Sequence, residues 1–354
     1  MKIIHTADLH LSSPLTSRLS GKKSLARRRE LRETFIRMTE YAKDNQVEAF
    51  IIAGDLFDDG EVSPADIEAF LSTLRRCEGV EFYYLHGNHE GRAIDSSRED
   101  IPKNLHFFSD GWSYYDIGNV RLAGRCRLSE NMFKELATAP DKINIAVLHG
   151  ELRDKGDDAY AIGLGGAKET ELDYIALGHY HKYQVLRPTP RLSCVYSGVP
   201  EGRGFDETGE KGFVLIEATD KLEYHFIPFA KRLVLQIDVD ISSALSSADI
   251  ENMIEENLKN CDKNNLVRIQ LTGHRSPDLR YDISYLCDIF KSSFYYLEVK
   301  DKSGIKILAD DYKYDKSLKG EFIRLCLDKI EDEEIRSKVI ECGLLALAGE
   351  GGEG

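Results

Sequence analysis

Five short apolar runs before residue 183 each end at a polar corner, and this repeated pattern restricts the fold more than any other feature of the chain. The runs and the corners after them are "KIIHTAD" and "LHLSSP", "EAFIIAG" and "DLFDDGE", "EFYYLHG" and "NHEG", "NIAVLHG" and "ELRDKG", and "YIALG" and "HYHK". Helix-like segments at about 24–45 and 64–76 separate the first three runs. This order predicts an α/β fold whose polar corners meet at the carboxyl ends of the strands, where ligands bind in open α/β sheets.

The pattern changes after residue 183 and divides the sequence into three predicted domains. The strand-like runs "CVYSGV", "GFVLIEA" and "LEYHFIPF" follow one another without long helices and are expected to complete the first core. Further strand-like runs surround a helix-like segment at 247–260, and the end of the chain is helical and amphipathic before the glycine-rich "GEGGEG". We therefore predict a first domain at 1–230, a small α+β domain at 231–316, and a helical segment with a disordered tail at 317–354.

The composition is that of a soluble globular protein. With 42% hydrophobic and 31% charged residues, the sequence contains no uninterrupted apolar run long enough to span a bilayer. The start "MKIIHTADLH" has the pattern of a first strand and not of a signal peptide, so a cytoplasmic protein is expected. The seven cysteines are widely spaced and form no CxxC pair, which argues against a disulfide framework and against a thiolate zinc site.

The net charge of −14 argues against a protein that coats nucleic acid generally, because such binding depends on many Lys and Arg side chains. A polyanion would have to be bound locally. One candidate is the basic stretch "GKKSLARRRELR", although a solvated helix face is the favoured explanation of such a charge run. Its basic residues are Lys22, Lys23, Arg27, Arg28, Arg29 and Arg32.

Metal-ligating residue types are concentrated at the polar corners. His179 and His181 in "GHYH" lie two positions apart, so a strand would carry both rings toward one point. Carboxylate, imidazole and amide groups together suit manganese, iron or zinc. Two metal ions and two aspartates would leave a local charge of about +2, which attracts a phosphodiester. The corner residues are Asp8, His10, Asp55, Asn88, His89, His149, His179 and His181.

The ordered set "ADLH", "GDLFD", "GNHE", "LHG" and "GHYH" resembles the calcineurin-like metallophosphoesterases. The "HTADLHLSSP" start, the "GDLFD" motif and "ETGEKG" make the chain similar to one branch, the DNA-repair nucleases typified by bacterial SbcD. The resemblance implies an α/β (α+β) fold: a β-sandwich flanked by helices, a small capping domain and C-terminal helices. It implies a metal-dependent DNA exonuclease or endonuclease that acts in DNA repair. The motifs cover residues 1 to about 230, and the similarity beyond them is one of organisation.

The resemblance also implies roles for individual residues. Two divalent ions are expected, with Mn²⁺ favoured and Fe²⁺ or Zn²⁺ as alternatives. Asp55 would bridge the two ions, and His89 would contact the scissile phosphate as a general acid. Asp58 and Glu90 are given no catalytic role. The remaining ligands would be Asp8, His10 and His181 for the first ion, and Asn88, His149 and His179 for the second.

Residues outside the motifs leave two interpretations open. Arg203 lies in a loop shortly after the last motif and is a candidate for phosphate binding, but Glu207, Glu210 and Lys211 could equally belong to a turn without a further role. The histidines outside the motifs are expected to be core or surface groups, with His5 and His86 as possible outer partners of the ligands. Those histidines are His5, His86, His106, His225 and His274.

The expected partners are DNA, a second copy of the chain and an SMC-like ATPase of the SbcC type, with no membrane. The predicted helix at 64–76 carries an apolar stripe, which by default packs on the sheet of its own subunit. In the family that the chain resembles, helices of the nuclease domain also pair two subunits. The residues of the stripe are Ile67, Phe70, Leu71 and Leu74. Segment 317–348 would either bind the ATPase or pack on the capping domain. Its apolar positions are Phe322, Leu325, Ile330, Ile335, Val339 and Leu344.

Two other functions compete with the nuclease hypothesis. The first is a metallophosphatase or phosphodiesterase that acts on a small molecule or a phosphoprotein, which the net charge of −14 favours. The second is an inactive scaffold, against which the full set of candidate ligands argues. The additional residues 231–354 favour the nuclease over a minimal small-molecule esterase.

Overall fold

A computed structural model describes residues 1–13, 15, 21–58, 62–87, 94–155, 159–276, 279–306 and 312–347. The chain forms two compact units, Met1–Val234 and Leu235–Gly354. The predicted boundary after residue 230 lies close to this division, whereas the predicted boundary after residue 316 falls within the second unit. In the described part of the chain, no helix is both long enough and apolar enough to cross a membrane.

The first unit is built on two six-stranded sheets. The first sheet has the order β14-β13-β1-β2-β3-β4 and the second the order β11-β12-β10-β7-β6-β5. The strands are β1 Lys2–Thr6, β2 Ala49–Ala53, β3 Glu81–Leu85, β4 Leu105–Phe107, β5 Ser113–Ile117, β6 Val120–Gly124, β7 Ile143–His149, β8 Glu151–Arg153, β9 Ala161–Gly163, β10 Tyr174–Gly178, β11 Gln184–Leu186, β12 Ser193–Tyr196, β13 Gly212–Ala218 and β14 Leu222–Pro228. The helices are α1 Gly21–Asp44, α2 Pro64–Arg75 and the short α3 Leu164–Lys168.

Alternation along the strands divides the hydrophobic core into layers. On β1, Ile3 packs with residues of the second sheet, whereas its neighbour Ile4 packs beneath the helices α1 and α2. Strands β1 to β4 run parallel to one another, and so do β6, β7, β10 and β12. Their carboxyl ends therefore carry the polar corners, as the sequence predicts.

The apolar stripe of α2 is buried within the subunit. Ser63 caps the helix by accepting a hydrogen bond from the backbone N–H of Asp66, and Pro64 occupies the first turn. The stripe packs against Phe35 of α1 and Phe50 of β2. Burial on its own sheet leaves this stripe no surface for a second copy of the chain, so the predicted homodimer lacks this support.

The basic stretch at the start of α1 is only partly a solvated face. Arg27 is fully buried and forms ion pairs with Glu30 and Glu201, and Arg32 pairs with Asp66 of α2. The exposed residues of the stretch are Lys22, Lys23 and Arg29. Part of this charge is therefore neutralised inside the fold and cannot attract a polyanion.

The second unit contains a small sheet covered by helices. The sheet has three strands in the order β15-β16-β18, and β17 pairs with β19. The strands are β15 Val234–Asp240, β16 Leu266–Thr272, β17 His274–Arg275, β18 Tyr296–Asp301 and β19 Gly304–Ile305. The helices are α4 Ser247–Leu258, α5 Ile283–Phe290, α6 Leu318–Lys329 and α7 Glu333–Leu347. This arrangement is a small α+β fold.

The predicted helices at the end of the chain form a pair with its own small core. Ile323 and Cys326 of α6 pack with Ile340 and Leu344 of α7 and with Tyr312. Of the six predicted apolar positions, three pack with this core and three are exposed on the outside of the pair. The packed residues are Phe322, Ile330 and Leu344, and the exposed ones are Leu325, Ile335 and Val339.

His5 links the two sheets of the first unit. Its Nε2 donates to the carbonyl oxygen of Leu177, and its Nδ1 accepts from the hydroxyl of Tyr174, both on β10. Burial lowers the pKa of His5 to about 3, although the hydrogen bond to Leu177 opposes this. The ring is therefore neutral in the folded protein at neutral pH and in mild acid.

This buried ring predicts a loss of stability in mild acid. Below its ordinary pKa of 6.5 only the unfolded state binds the proton, so the free energy of unfolding should fall as the pH drops from 6.5 toward 3. Between about pH 7 and about pH 5.5, the His5 ring should lower the free energy of unfolding by about 1 kcal/mol. Urea unfolding measures this free energy at both pH values, and its fall should be about 1 kcal/mol smaller in His5→Gln than in the wild type. The control His225→Gln, at an exposed ring, should show the same fall as the wild type. An unchanged drop in His5→Gln would contradict the assignment.

Candidate metal centre

The corners after β1, β2, β7 and β10 meet at one edge of the first unit. Backbone hydrogen bonds join the first two corners: Asp8 donates to the carbonyl of Gly54, and His10 donates to that of Asp55, each at 3.0 Å. Of the six described non-glycine residues with positive φ, four are candidate site residues: Asp8, His10, Asp55 and His179. Left-handed backbone at such residues is strained and is concentrated at functional sites.

The first group of candidate ligands consists of Asp8, His10 and His181, whose ligand atoms lie within 4.8 Å of one another. The Nε2 atoms of the two imidazoles are only 3.3 Å apart. On the far side of each ring, Nδ1 faces a carboxylate: that of His181 lies 2.7 Å from Glu207, and that of His10 lies 3.0 Å from Asp58. This is the outer arrangement that ligating histidines commonly have.

The carboxylates decide which nitrogen of each ring has a lone pair. Burial would raise the pKa of Glu207, but the hydrogen bond from His181 and the charge of Arg203 outweigh it and hold this pKa to about 2. An ionised carboxylate only accepts, so Nδ1 of His181 carries a hydrogen, and in the neutral ring Nε2 presents a lone pair toward His10. Two such nitrogens at 3.3 Å need a positive charge near them, and these residues fit a divalent cation.

The second group consists of Asp8, Asp55 and His149, all buried and again within 4.8 Å. His149 donates from Nδ1 to the carbonyl of Ala53 at 2.8 Å, and its Nε2 lies 3.4 Å from Asp55. Burial alone would lower the pKa of His149, but the hydrogen bond with Asp55 and the charges of Asp8 and Asp55 raise it to about 9. The buried carboxylates thus keep a proton on this ring, which a divalent ion would replace.

Of the remaining predicted site residues, His179 lies beside both groups of candidate ligands. The backbone N–H of His179 donates to both carboxylate oxygens of Asp8, at 3.0 and 3.1 Å, and its ring lies edge-on to that of His149. Burial and the neighbouring His149 lower the pKa of His179. Asp8 belongs to both groups and Asp55 to the second, so the bridging role of Asp55 stays a prediction. Asn88, His89 and Glu90 lie outside the described residues.

Sequence reasoning missed the carboxylates behind the ligands. Asp58, which was given no role, faces His10, and Glu207 faces His181. Lys211 donates from its ammonium group to the carbonyl of His181 at 3.1 Å, so "ETGEKG" does more than form a turn, although Glu210 is exposed. An acidic residue soon after the last histidine motif was the available signal, because ligating imidazoles commonly donate to a carboxylate.

Two tyrosines border the candidate centre. The ring of Tyr160 lies parallel to that of His179, at 6.3 Å between centroids, and is half exposed. Tyr180 is 38% exposed and donates from its hydroxyl to Glu151. An aromatic surface therefore lies next to one of the predicted metal ligands.

The first unit is thus a helix-flanked β-sandwich that carries imidazole and carboxylate groups at its strand ends. The model of the calcineurin-like phosphoesterase family matches residues 1–183, and the chain belongs to this family. The predicted mixed α/β fold is thereby confirmed. The family uses a dinuclear metal site, and when bound, two divalent ions supply Lewis-acid charge for the hydrolysis of a phosphoester. The protein is therefore a phosphoester hydrolase.

Three relatives are similar over much of the chain. An uncharacterized metallophosphoesterase, YhaO of Bacillus subtilis, is 29% identical over 77% of this chain and 72% of its own. The DNA double-strand break repair protein Mre11 of Methanopyrus kandleri is 27% identical over 64% of this chain and 56% of its own. The SbcD component of the nuclease SbcCD of Staphylococcus epidermidis is 23% identical over 77% of this chain and 79% of its own. The chain thus matches little more than half the length of the Mre11 relative.

The close approach of Gly87 to Asp55 gives a test of the centre. A Cβ atom at residue 87 would lie 2.0 Å from the carboxylate Oδ1 of Asp55 and 2.4 Å from its backbone nitrogen. Gly87→Ala should therefore displace Asp55 and weaken Mn²⁺ binding at least roughly 10-fold, as measured by calorimetry. The control is Gly111→Ala, where the added atom meets nothing within 4 Å. If Gly87→Ala bound Mn²⁺ as tightly as the control, Asp55 would not be a ligand.

Proposed function

We propose that the protein is a metal-dependent DNA nuclease that acts in DNA repair in the cytoplasm, as an exonuclease or endonuclease. The observation that carries this proposal is the exposed Tyr160 beside the candidate metal centre, because a base can stack on an exposed aromatic ring next to a phosphodiester. The names of the Mre11 and SbcCD relatives support the same substrate.

The roles of the residues follow the resemblance of the motifs. We propose that Asp8, His10 and His181 bind one ion, that Asp55 bridges to the second, and that Mn²⁺ is the metal. Asn88, His149 and His179 complete the second ion's ligands. His89 protonates the leaving oxygen as a general acid, and Arg203 was the candidate for phosphate binding.

The alternative is a metallophosphatase or phosphodiesterase acting on a small molecule or a phosphoprotein. The net charge of −14 favours it, because nonspecific DNA affinity comes from Lys and Arg side chains. Burial of Arg27 in its ion pairs removes one more cation from the surface. DNA binding by this chain therefore depends on the metal ions, on aromatic stacking and on a partner.

Tyr160→Ala distinguishes the two functions. The nuclease hypothesis predicts that the wild type releases nucleotides from linear DNA with Mn²⁺, and that Tyr160→Ala lowers this rate roughly 5- to 150-fold, since stacking is worth about 1–3 kcal/mol per base. Hydrolysis of a small alkyl phosphodiester by the same variant should stay within about twofold, because this ester has no aromatic ring to stack. Tyr285→Ala is the control, since Tyr285 is equally exposed but belongs to the second unit.

Two results would decide against the nuclease. Activity on the small ester with none on DNA, even when the ATPase partner is added, would establish the alternative. An equal loss on both substrates in Tyr160→Ala would show that Tyr160 supports the metal centre and does not stack on a base.

We further propose that the exposed face of α6 and α7 binds an SMC-like ATPase. Leu325 and Ile335 are each 56% exposed, an unusual position for large apolar side chains on two adjacent helices. The SbcCD relative is by its name one component of a larger nuclease.

A homodimer also stays a prediction. Light scattering at micromolar concentration would distinguish it from the 40.1 kDa monomer.

Charge substitution on this face tests the ATPase proposal. The double variant Leu325→Glu and Ile335→Glu should no longer co-purify with a co-expressed SMC-like ATPase, because a buried unpaired carboxylate opposes docking. Its Mn²⁺-dependent cleavage of single-stranded DNA should be unchanged, since both positions lie in the second unit. Leu245→Glu, at an 88% exposed leucine of the same unit, is the control. Retained co-purification of the double variant would place the binding surface elsewhere.

A further inference from the structure

The guanidinium group of Arg203 is directed at Glu207. Its Nε and one terminal nitrogen donate to Oε1 of Glu207 at 3.0 and 2.8 Å, and the backbone N–H of Arg203 donates to Oε2 at 2.6 Å. The other terminal nitrogen lies 3.6 Å from the carboxylate of Asp58. The Arg203 side chain is 18% exposed and that of Glu207 only 2%. One cation thus lies between two carboxylates.

Each of these carboxylates faces a different candidate ligand. Glu207 lies 2.7 Å from Nδ1 of His181, and Asp58 lies 3.0 Å from Nδ1 of His10. The two imidazoles face each other through Nε2 on the opposite side. Arg203 is therefore the common neighbour of the two carboxylates that orient His10 and His181.

The effect of Arg203 on His181 passes through Glu207. A terminal nitrogen of Arg203 also lies 3.2 Å from Nδ1 of His181, but that Nδ1 carries the hydrogen that Glu207 accepts. Two donors cannot form a hydrogen bond with each other, so this approach does not orient the ring. Arg203 instead fixes the carboxylate, and the carboxylate fixes the tautomer and the orientation of the ring.

The loop that carries Arg203 is itself attached to a helix. Arg27 of α1 pairs with Glu201 at 3.0 Å and donates to the carbonyl of Gly202 at 2.6 Å. Glu201 also accepts from the hydroxyl of Thr34 and from the backbone N–H of Lys231. The position of Arg203 is therefore set by buried polar contacts on its N-terminal side, as a residue with a fixed geometric task requires.

We propose that Arg203 is a positioning residue of the metal centre. Its guanidinium lies between Asp58 and Glu207 and fixes both carboxylates, which hold His10 and His181 with Nε2 directed at one metal ion. The donors that contact Glu207 are not available to a substrate phosphate while this contact holds. The assignment rests on the proposed metal-dependent function, but it concerns metal affinity and can be tested without DNA.

The decisive measurement is calorimetric titration of Arg203→Met with Mn²⁺. One of the two binding events should weaken roughly 10- to 100-fold, and the other should stay near the wild-type affinity, since the described contacts of Arg203 lie behind the first group of ligands. Arg203→Lys should fall between Arg203→Met and the wild type, because an ammonium group keeps the charge but lacks the planar fork. The ¹⁵N chemical shifts of the metal-free His181 ring should show a mixture of tautomers in Arg203→Met and mainly the Nδ1–H form in the wild type.

Arg125→Met is the matched control. The Arg125 side chain is 11% exposed and pairs with Glu135 in the same unit, so its loss removes a shielded ion pair whose described contacts involve neither His181 nor the loop of Arg203. Both Mn²⁺ affinities of this variant should equal those of the wild type. A parallel loss in Arg125→Met would mean that general destabilisation explains the effect and would overturn the proposal.

Kinetics separate positioning from substrate binding. At saturating Mn²⁺, the positioning role predicts an unchanged KM for DNA in Arg203→Met, whereas a phosphate contact predicts a raised KM with unchanged Mn²⁺ affinity. The second result would overturn the proposal. If the wild type failed to cleave DNA at all, the nuclease function would be wrong, but calorimetry and the ring tautomer would still decide the role of Arg203.

Discussion

Buried negative charge at the edge where the two sheets meet is the constraint on which the rest of the first unit depends. Asp8 and Asp55 are each 1% exposed, and burial raises the pKa of Asp8 despite the imidazoles around it. Two adjacent carboxylates in such a place need compensating positive charge. The protein supplies it through the N–H of His179 and a proton on His149, and the same arrangement suits divalent ions.

Much of the fold could be predicted because the apolar runs carry a local signal. The strands before the five corners and the helices α1 and α2 follow from periodicity and from the Ser63–Pro64 cap. Strands β4 to β6 were not predicted, since "LHF" is too short and "SYYDI" mixes exposed and half-buried residues. The later strands were expected to complete one core in succession, but the structure distributes them between the two sheets. Strand β12 joins the second sheet, whereas β13 and β14 extend the first.

The candidate site was predictable where residue type alone carries the chemistry, and not where a distant contact does. The residue types of Asp8, His10 and His181 mark them as candidate ligands, the resemblance of the motifs implies that they share one ion, and the structure brings them together. The contact of Asp58 with His10 and of Arg203 with Asp58 depends on how three loops close on one another, which no local pattern encodes. Arg27 is the clearest example of a position that the sequence does not predict. It lies in a run of basic residues, which predicts exposure, and yet its side chain is fully buried.

The facing imidazoles of His10 and His181 are separated by 171 positions in the chain. At about 5–20 residues per second, a ribosome needs roughly 10–35 s to synthesise the interval between them. During that time the first corner exists with its carboxylate and imidazole but without the partner that completes the ligand set. The first group of ligands is therefore complete only late in synthesis, and an ion that bound earlier would meet a weaker, differently shaped half-site.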